Sequence, residues 1–474
     1  MQKISKKGIF SWMLFDWAAQ PYHTVLITFI FAPYFVSQVA SDSVSGQAMW
    51  GQAMGIGGII IAILAPILGA MADITGPRKP WIAFFSLLVI AGASFLWFST
   101  AGVDSPITIQ IATIINNFAS TISSLPLLGW VGQIEPITLI LVAFIIGLIG
   151  IEFSTVFTNS IMPSLVSREE LGKLSGSGWA LGYIGGIIAL IIVLALMAAD
   201  PISGKTMLGL SPMLGLDAAQ YEGERATGPL TALWYLIFII PLFLFTPDIA
   251  KNKGQGQALK KALANLWGTI QQLPKRKSYF SFLITSMFYR DGLNGLFMFG
   301  GIYAAGVLKM SITEIGIFGI IAGIAGAFGA FIGGRMDVKF GPKAVVFTSC
   351  WLLILACTIV VSTTPEIIFF VIPVEAASTP VIVFYLAGSL IGASGGALQA
   401  ASRTLLVDQV DKDETTEAFG LYALTGRATS FIAPFAIAYV TIASQSQRIG
   451  ITPIIALLVL GAFGLMFVKE RSAG

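Results

Sequence analysis

Stretches of about 20 apolar residues, each long enough to cross a bilayer as a helix, recur along this sequence from residue 10 to residue 468. They lie near 10–36, 48–72, 80–101, 136–162, 171–199, 228–246, 278–305, 315–334, 344–363, 379–407, 416–443 and 448–468. A soluble domain carries charge on about a quarter of its residues. Here 56% are hydrophobic and 11% charged, with a mean hydropathy of +0.85. The expected fold class is an all-α polytopic membrane protein with twelve transmembrane helices.

Charge sets the orientation. With the N-terminus inside, most of the 27 Lys and Arg residues fall on cytoplasmic segments, as the positive-inside rule requires. The segment 102–135 is apolar enough to suggest a thirteenth span, but it holds Gln110, Asn116, Asn117 and Pro126. A span there would turn the basic loop 247–277, with Lys251, Lys253, Lys260, Lys261, Lys275, Arg276 and Lys277, to the outside. We therefore read 102–135 as an external or interfacial excursion with a short amphipathic helix. The basic loop is read as a cytoplasmic linker near anionic lipid. It separates an N-terminal half (1–246) from a C-terminal half (278–474), six spans in each. The opening MQKISKK precedes too long an apolar run for a cleaved leader, so the first span is expected to stay. Cys350 and Cys357, seven residues apart, are expected on one helix face and form no disulfide framework. The +3 net charge reports topology, and no nucleic-acid partner is expected.

Polar residues recur on every third span. Asp16, Gln20 and His23 stand at i, i+4 and i+7, hence on one helix face. Span 4 repeats the device with Glu152, Thr155 and Asn159, span 7 with Arg290, Asp291 and Asn294, and span 10 with Gly392, Gly396, Gln399 and Arg403. A charge in the bilayer centre costs a few kcal/mol or more, so these stripes are expected to face one shared polar cavity. Glycines at helical spacing in span 5 (Gly176, Gly178, Gly182, Gly185, Gly186) and span 8 (Gly316 to Gly333) permit close helix contact, for static packing or for a sliding interface between the halves.

The halves also echo each other. GSGWALGY at 176–183 aligns with GLYALTGR at 420–427, and GAMADITGPRK at 69–79 with GGRMDVKFGPK at 333–343. Gly69, Asp73, Gly76, Arg78 and Lys79 resemble the loop motif between the second and third helices of the major facilitator superfamily. Pro77 stands where a basic residue is usual, and Val338 takes the aspartate position of the second copy. FDWAAQPY, IEFSTVFTNSIMP, SGSGWALGYIGG, YRDGLNGLFMFGGIYAAGV, GGALQAASRTL and FGLYALTGR together resemble the vacuole-effluxer-like branch of that superfamily. The resemblance implies two six-helix halves that alternate access around a central site, and a role in amino-acid efflux like that linked to the fungal members.

For that site the expected solute-binding residues are Gln20, Asn159, Arg290, Asp291, Asn294, Gln399 and Arg427. Arginine grips a carboxylate through two parallel hydrogen bonds, while Asp291 either balances an arginine or accepts a solute ammonium. The alternative is an ion pair, Asp291 with Arg427 or Glu152 with an arginine, that tethers helices. Asp16, His23 and Glu152 are the candidate proton carriers, with helix tethering and a structural histidine as their plainer roles. By resemblance, Asp73, Gly76, Arg78 and Lys79 form a cytoplasmic gate, the alternative being a capped turn at Gly76-Pro77. GASGG at 392–396 matches a nucleophile elbow in letters only, since it falls inside a span rather than at a strand-to-helix turn. One histidine and two cysteines make no metal cluster, and no phosphate-binding loop occurs. The expectation is a monomeric transporter with no cofactor and no enzyme activity, in a bacterial inner membrane, with both termini cytoplasmic. Its partners would be the lipid bilayer, protons and a small polar or zwitterionic solute. A sugar, nucleoside or drug carrier, or a sensor on the same fold, is the alternative.

Overall fold

A chain in hydrocarbon must satisfy its own amides, and the apolar stretches accordingly form helices. The computed structural model describes residues 5–102, 104–123, 134–166, 171–249, 271, 273–376, 378–410 and 415–470. Among them, ten helices are long and apolar enough to cross a membrane: Lys6–Val39, Ser43–Ala65, Lys79–Phe98, Pro136–Met162, Ser177–Met197, Glu222–Phe245, Ile312–Asp337, Pro342–Ser362, Ser378–Asp408 and Gln447–Phe467. These correspond to spans 1–6, 8–10 and 12. The two expected spans missing from this set are also helical. Span 7 is the 30-residue helix Lys277–Gly306, made less apolar by Arg290, Asp291 and Asn294. Span 11 is two helices, Thr415–Ala428 and Ile432–Ser444, interrupted at residues 429–431.

The chain divides into two compact units, one of Met1–Gly46 with Thr75–Asn252, the other of Gln47–Ile74 with Lys253–Gly474. Span 2 is thus grouped with spans 7–12. The reason is local: Gly51, Gly55 and Gly58 leave room on span 2 for Pro434, Phe435 and Phe431 of span 11. At the same end Gln47, wholly buried, donates to Thr441 Oγ1 at 2.8 Å and to the Gln447 carbonyl at 3.2 Å.

In the first unit, span 1 leaves regular α-helix after Pro21, widening into π-helical turns over Tyr22–Phe29 and Phe35–Val39. Pro21 and Pro33 each lack an N–H, which favours such rearrangement. Trp12 Nε1 donates to the Thr158 carbonyl at 2.8 Å and Tyr22 to the Phe144 carbonyl at 3.0 Å, so span 1 is bonded to span 4. The 102–135 excursion contains the helix Pro106–Ser123, and its Asn116 side chain both donates to the Ile134 carbonyl (3.0 Å) and accepts from the Ile134 N–H (2.7 Å). Residues 124–133, with Pro126, lie outside the described residues.

The glycine seams are used within units. Span 5 seats span 1 through Gly178, Gly182, Gly185 and Gly186, and span 8 seats span 10 through Gly329 and Gly333, which lie against Ala393 and Ala397. Gly392 and Gly396 return the contact onto Ala322 and Gly326. Residues 392–396 sit mid-helix, with Ser394 buried. Cys350 and Cys357 are both buried in span 9.

Candidate functional site

Asp16 stands in span 1 where span 5 has no side chains to fill the gap. Its carboxylate lies against Gly178, and its Cβ and carbonyl oxygen lie where a Cβ on Gly182 would come within 3.2 Å. It is half-buried and has no hydrogen-bond partner among the described residues. Gln20, one turn on, packs its stem on Gly186 and reaches Thr24 Oγ1 at 3.4 Å. Beneath them Trp17 stacks on Trp234 at 5.6 Å, and Trp234 Nε1 donates to the Trp17 carbonyl at 3.0 Å. His23 lies beyond Pro21 in the π-helical segment. It is half-buried, with its ring edge-on to Tyr22 at 6.2 Å and its carbonyl accepting from Thr28 at 2.9 Å.

The second unit contains the counterpart. Tyr289-Arg290-Asp291-Gly292-Leu293-Asn294 matches Phe15-Asp16-Trp17-Ala18-Ala19-Gln20 in spacing, so Arg290 takes the place of Asp16 and Asn294 that of Gln20. Arg290 NH1 donates to the Tyr422 carbonyl at 2.7 Å, its guanidinium lies 4.0 Å from the centre of the Tyr422 ring, and it rests against Gly426. In the repeat GSGWALGY/GLYALTGR, Gly178 aligns with Tyr422 and Gly182 with Gly426. An acid in one unit and a guanidinium in the other thus sit on equivalent helices, each against the aligned glycine of its partner helix. Among the described residues only one nitrogen of the guanidinium is bonded, which leaves an edge of the fork for an acceptor.

Asp291 goes elsewhere. Neighbours on a helix point about 100° apart, and Asp291, only 3% exposed, turns toward the break in span 11. Its Oδ2 accepts the Ala433 N–H at 2.8 Å, capping the helix Ile432–Ser444, while Oδ1 has no partner among the described residues. A cavity of about 160 Å³ adjoins it, lined also by Ile284, Met287, Phe288, Thr429 and Ile432. Negative charge at a helix N-terminus is stabilising, which accounts for an acid at this depth. Sequence reasoning grouped Asp291 with Arg290 and could not see the cap, because the N–H it serves is 142 residues away.

Of the other expected residues, Glu152 and Gln399 are half-buried, and Asn159 and Asn294 exposed. The side chains of Arg427 and Asp73 lie outside the described residues. Gly76 takes a left-handed φ of 88°, making the turn that its lack of a side chain permits. Arg78 and Lys79 are held inside their own unit. Their backbone N–H groups donate to the two oxygens of Asp248 at 2.7 and 3.1 Å. Arg78 Nε reaches Ser160 at 2.9 Å, and Lys79 Nζ the Phe243 carbonyl at 2.9 Å. The second copy is built alike: Gly341 has φ 84°, the Lys343 N–H donates to Glu470 at 2.7 Å, and Lys343 Nζ donates to the Val468 carbonyl at 2.7 Å. Asp248 and Glu470, each just past the last span of its half, are residues the motif did not reveal.

The profile of the family described as vacuole effluxer Atg22 like matches residues 44–473. An uncharacterized MFS-type transporter, YxiO, of Bacillus subtilis (strain 168) is 23% identical over 478 residues, covering 100% of this chain and 97% of that protein. Autophagy-related protein 22 of Cryptococcus neoformans var. neoformans serotype D is 21% identical over 302 residues, or 61% of this chain and 51% of its own length. Among solved structures, a point mutant of the nucleoside transporter NupG aligns with a TM-score of 0.63 at 15% identity, covering 97% of this chain and 100% of that one. A D-xylose-proton symporter gives 0.61 at 14%, covering 98% and 99%. At such identity these two likenesses establish the fold, which is that of the major facilitator transporters.

Proposed function

The chain belongs to the vacuole effluxer Atg22-like family, and from that premise we propose that it exports a small zwitterionic solute, an amino acid in the simplest case, by alternating access. That it is an integral membrane transporter of the major facilitator fold follows from family and fold, and those are of transporters, not enzymes. The solute is our own reading. What carries it is the equivalence of Asp16 and Arg290: each unit offers one charged group, of opposite sign, at the same place in its repeat and with unused bonding capacity. A zwitterion asks for both signs. In the second unit Arg290 is assigned to a carboxylate; in the first, Asp16, with Gln20 one turn away, is the acidic group offered to an ammonium. In this reading the membrane is a bacterial inner membrane with both chain termini on its cytoplasmic face, the chain acts as a monomer, and Asp16 carries a proton when no ammonium is bound.

The test begins with thermal shifts of the purified protein against amino acids, sugars and nucleosides, followed by flux in vesicles with and without a pH gradient. Amino acids should stabilise the wild type. Arg290→Ala should weaken that binding about ten- to a hundredfold, the worth of a hydrogen bond to a charged group, and Asp16→Asn should weaken amines more than the corresponding deaminated acids. A sugar that binds equally well to the wild type and to folded Arg290→Ala would overturn the assignment.

A further inference from the structure

Span 7 begins and span 12 ends beside a groove of about 540 Å³, and the solute reading above does not involve it. Lys277 and Lys469 both line it, together with Phe280, Ser281 and Phe467. Ser278 fixes this arrangement. Its hydroxyl accepts the Lys469 N–H at 2.9 Å and donates to Gln409, whose Nε2 donates in turn to the Lys469 carbonyl at 3.0 Å. Lys275 and Arg276 precede Lys277 in the chain. The acid beside them, Glu470, is turned away onto the Lys343 N–H.

Neither Lys277 nor Lys469 has a carboxylate partner among the described residues. The walls are of another kind: Phe467 is 74% and Phe280 37% exposed, and Met466 and Phe463 continue the apolar surface along span 12. A free phosphate would leave these aromatic faces uncovered. A partner that suits the whole groove has an anionic head and a hydrocarbon tail.

We infer that this groove is a binding site for an anionic phospholipid, whose phosphate lies between Lys277 and Lys469 and whose acyl chain runs over Phe280 and Phe467. The recognition is charge at the membrane surface joined to burial of an apolar chain, the combination by which basic pockets at helix ends hold acidic lipids.

The experiment uses the full chain in detergent, with native mass spectrometry and thermal shifts read against phosphatidylglycerol, phosphatidylcholine and inorganic phosphate. Phosphatidylglycerol should bind at least about tenfold tighter than phosphatidylcholine, in line with the attraction of one or two lysines for an anionic surface. The Lys277→Gln/Lys469→Gln double variant should bring the two lipids level, while Lys205→Gln, at an exposed lysine outside the groove, changes nothing. Phe467→Ser should weaken both lipids. The single lysine variants serve if the double variant does not fold, each removing part of the preference. Inorganic phosphate matching the stabilisation given by phosphatidylglycerol would identify a free-anion site and overturn the lipid assignment. So would an undiminished preference in the lysine variants.

Discussion

Asp291 joins span 7 to the second helix of span 11 through one bond, and removing it should loosen that helix at its start. The bond runs from the Ala433 N–H to a carboxylate oxygen at 2.8 Å, in a residue only 3% exposed. Hydrogen bonds to charged groups contribute about 1.5–3 kcal/mol, and a buried N–H left without a partner costs about 1–3 kcal/mol. Against this, Asp291→Ala also removes Oδ1, which is buried with no partner among the described residues, and so recovers part of the loss. The net expectation is about 1–2 kcal/mol, a factor of about 5–30 in the local opening equilibrium. Asp291→Asn keeps an acceptor of the same shape and should stay within about 1 kcal/mol of the wild type, since an uncharged bond is weaker but still made. Hydrogen exchange followed by mass spectrometry on peptides spanning 429–444 reads this directly. Faster exchange there in the alanine variant, with the asparagine variant close to wild type, is the predicted pattern. Equal exchange in all three proteins would refute the cap.

The seam between spans 8 and 10 predicts opposite results for two alanines on one helix. Gly329→Ala drives a Cβ into the Ala393 carbonyl and should destabilise by about 1–3 kcal/mol. Gly334→Ala, where a Cβ meets nothing within 4 Å, should be neutral or stabilising by about 0.5–1 kcal/mol in thermal unfolding. Asp248→Ala removes the acceptor for two N–H groups at the start of span 3 and should cost about 0.5–2 kcal/mol, seen as faster exchange around residues 78–82; no change there would count against the turn's anchor. Asp42, at the start of span 2, has its carboxyl held below the ordinary value of 3.8, chiefly by the Ser45 N–H and also by the Ser45 hydroxyl and the Val44 N–H. A lowered value means stability that is present above the unfolded pKa and lost as pH falls through the folded one. Asp42→Ala should therefore flatten the melting-temperature profile only below about pH 4, and a profile unchanged there would remove that contribution.

The helices and the pairing of Asp16 with Gln20 on one face were legible because both follow from local periodicity. The repeat was legible too, and it led to the matched seats of Asp16 and Arg290. Tertiary partners were not. Nothing near Asp291 in sequence indicates Ala433, and nothing in the Gly-Pro turns indicates Asp248 or Glu470. The interruption of span 11 left a faint mark in Thr429, Ser430 and Pro434, residues common at helix starts, but in an apolar stretch of 28 positions length outweighed it. Spans 7 and 11 differ from the other ten for separate physical reasons: span 7 carries Arg290 and Asp291, whereas span 11 is broken into two helices, of which Ile432–Ser444 is apolar but short.

The burial of Cys350 and Cys357, 0% and 2% exposed, simplifies probe chemistry on this protein. A water-soluble maleimide should pass over both native thiols, so a reporter cysteine placed at an exposed loop position such as Ser203 can be tagged in the otherwise unaltered sequence. Two such reporters, one in each unit, would allow distance measurements during turnover without first building a cysteine-free background.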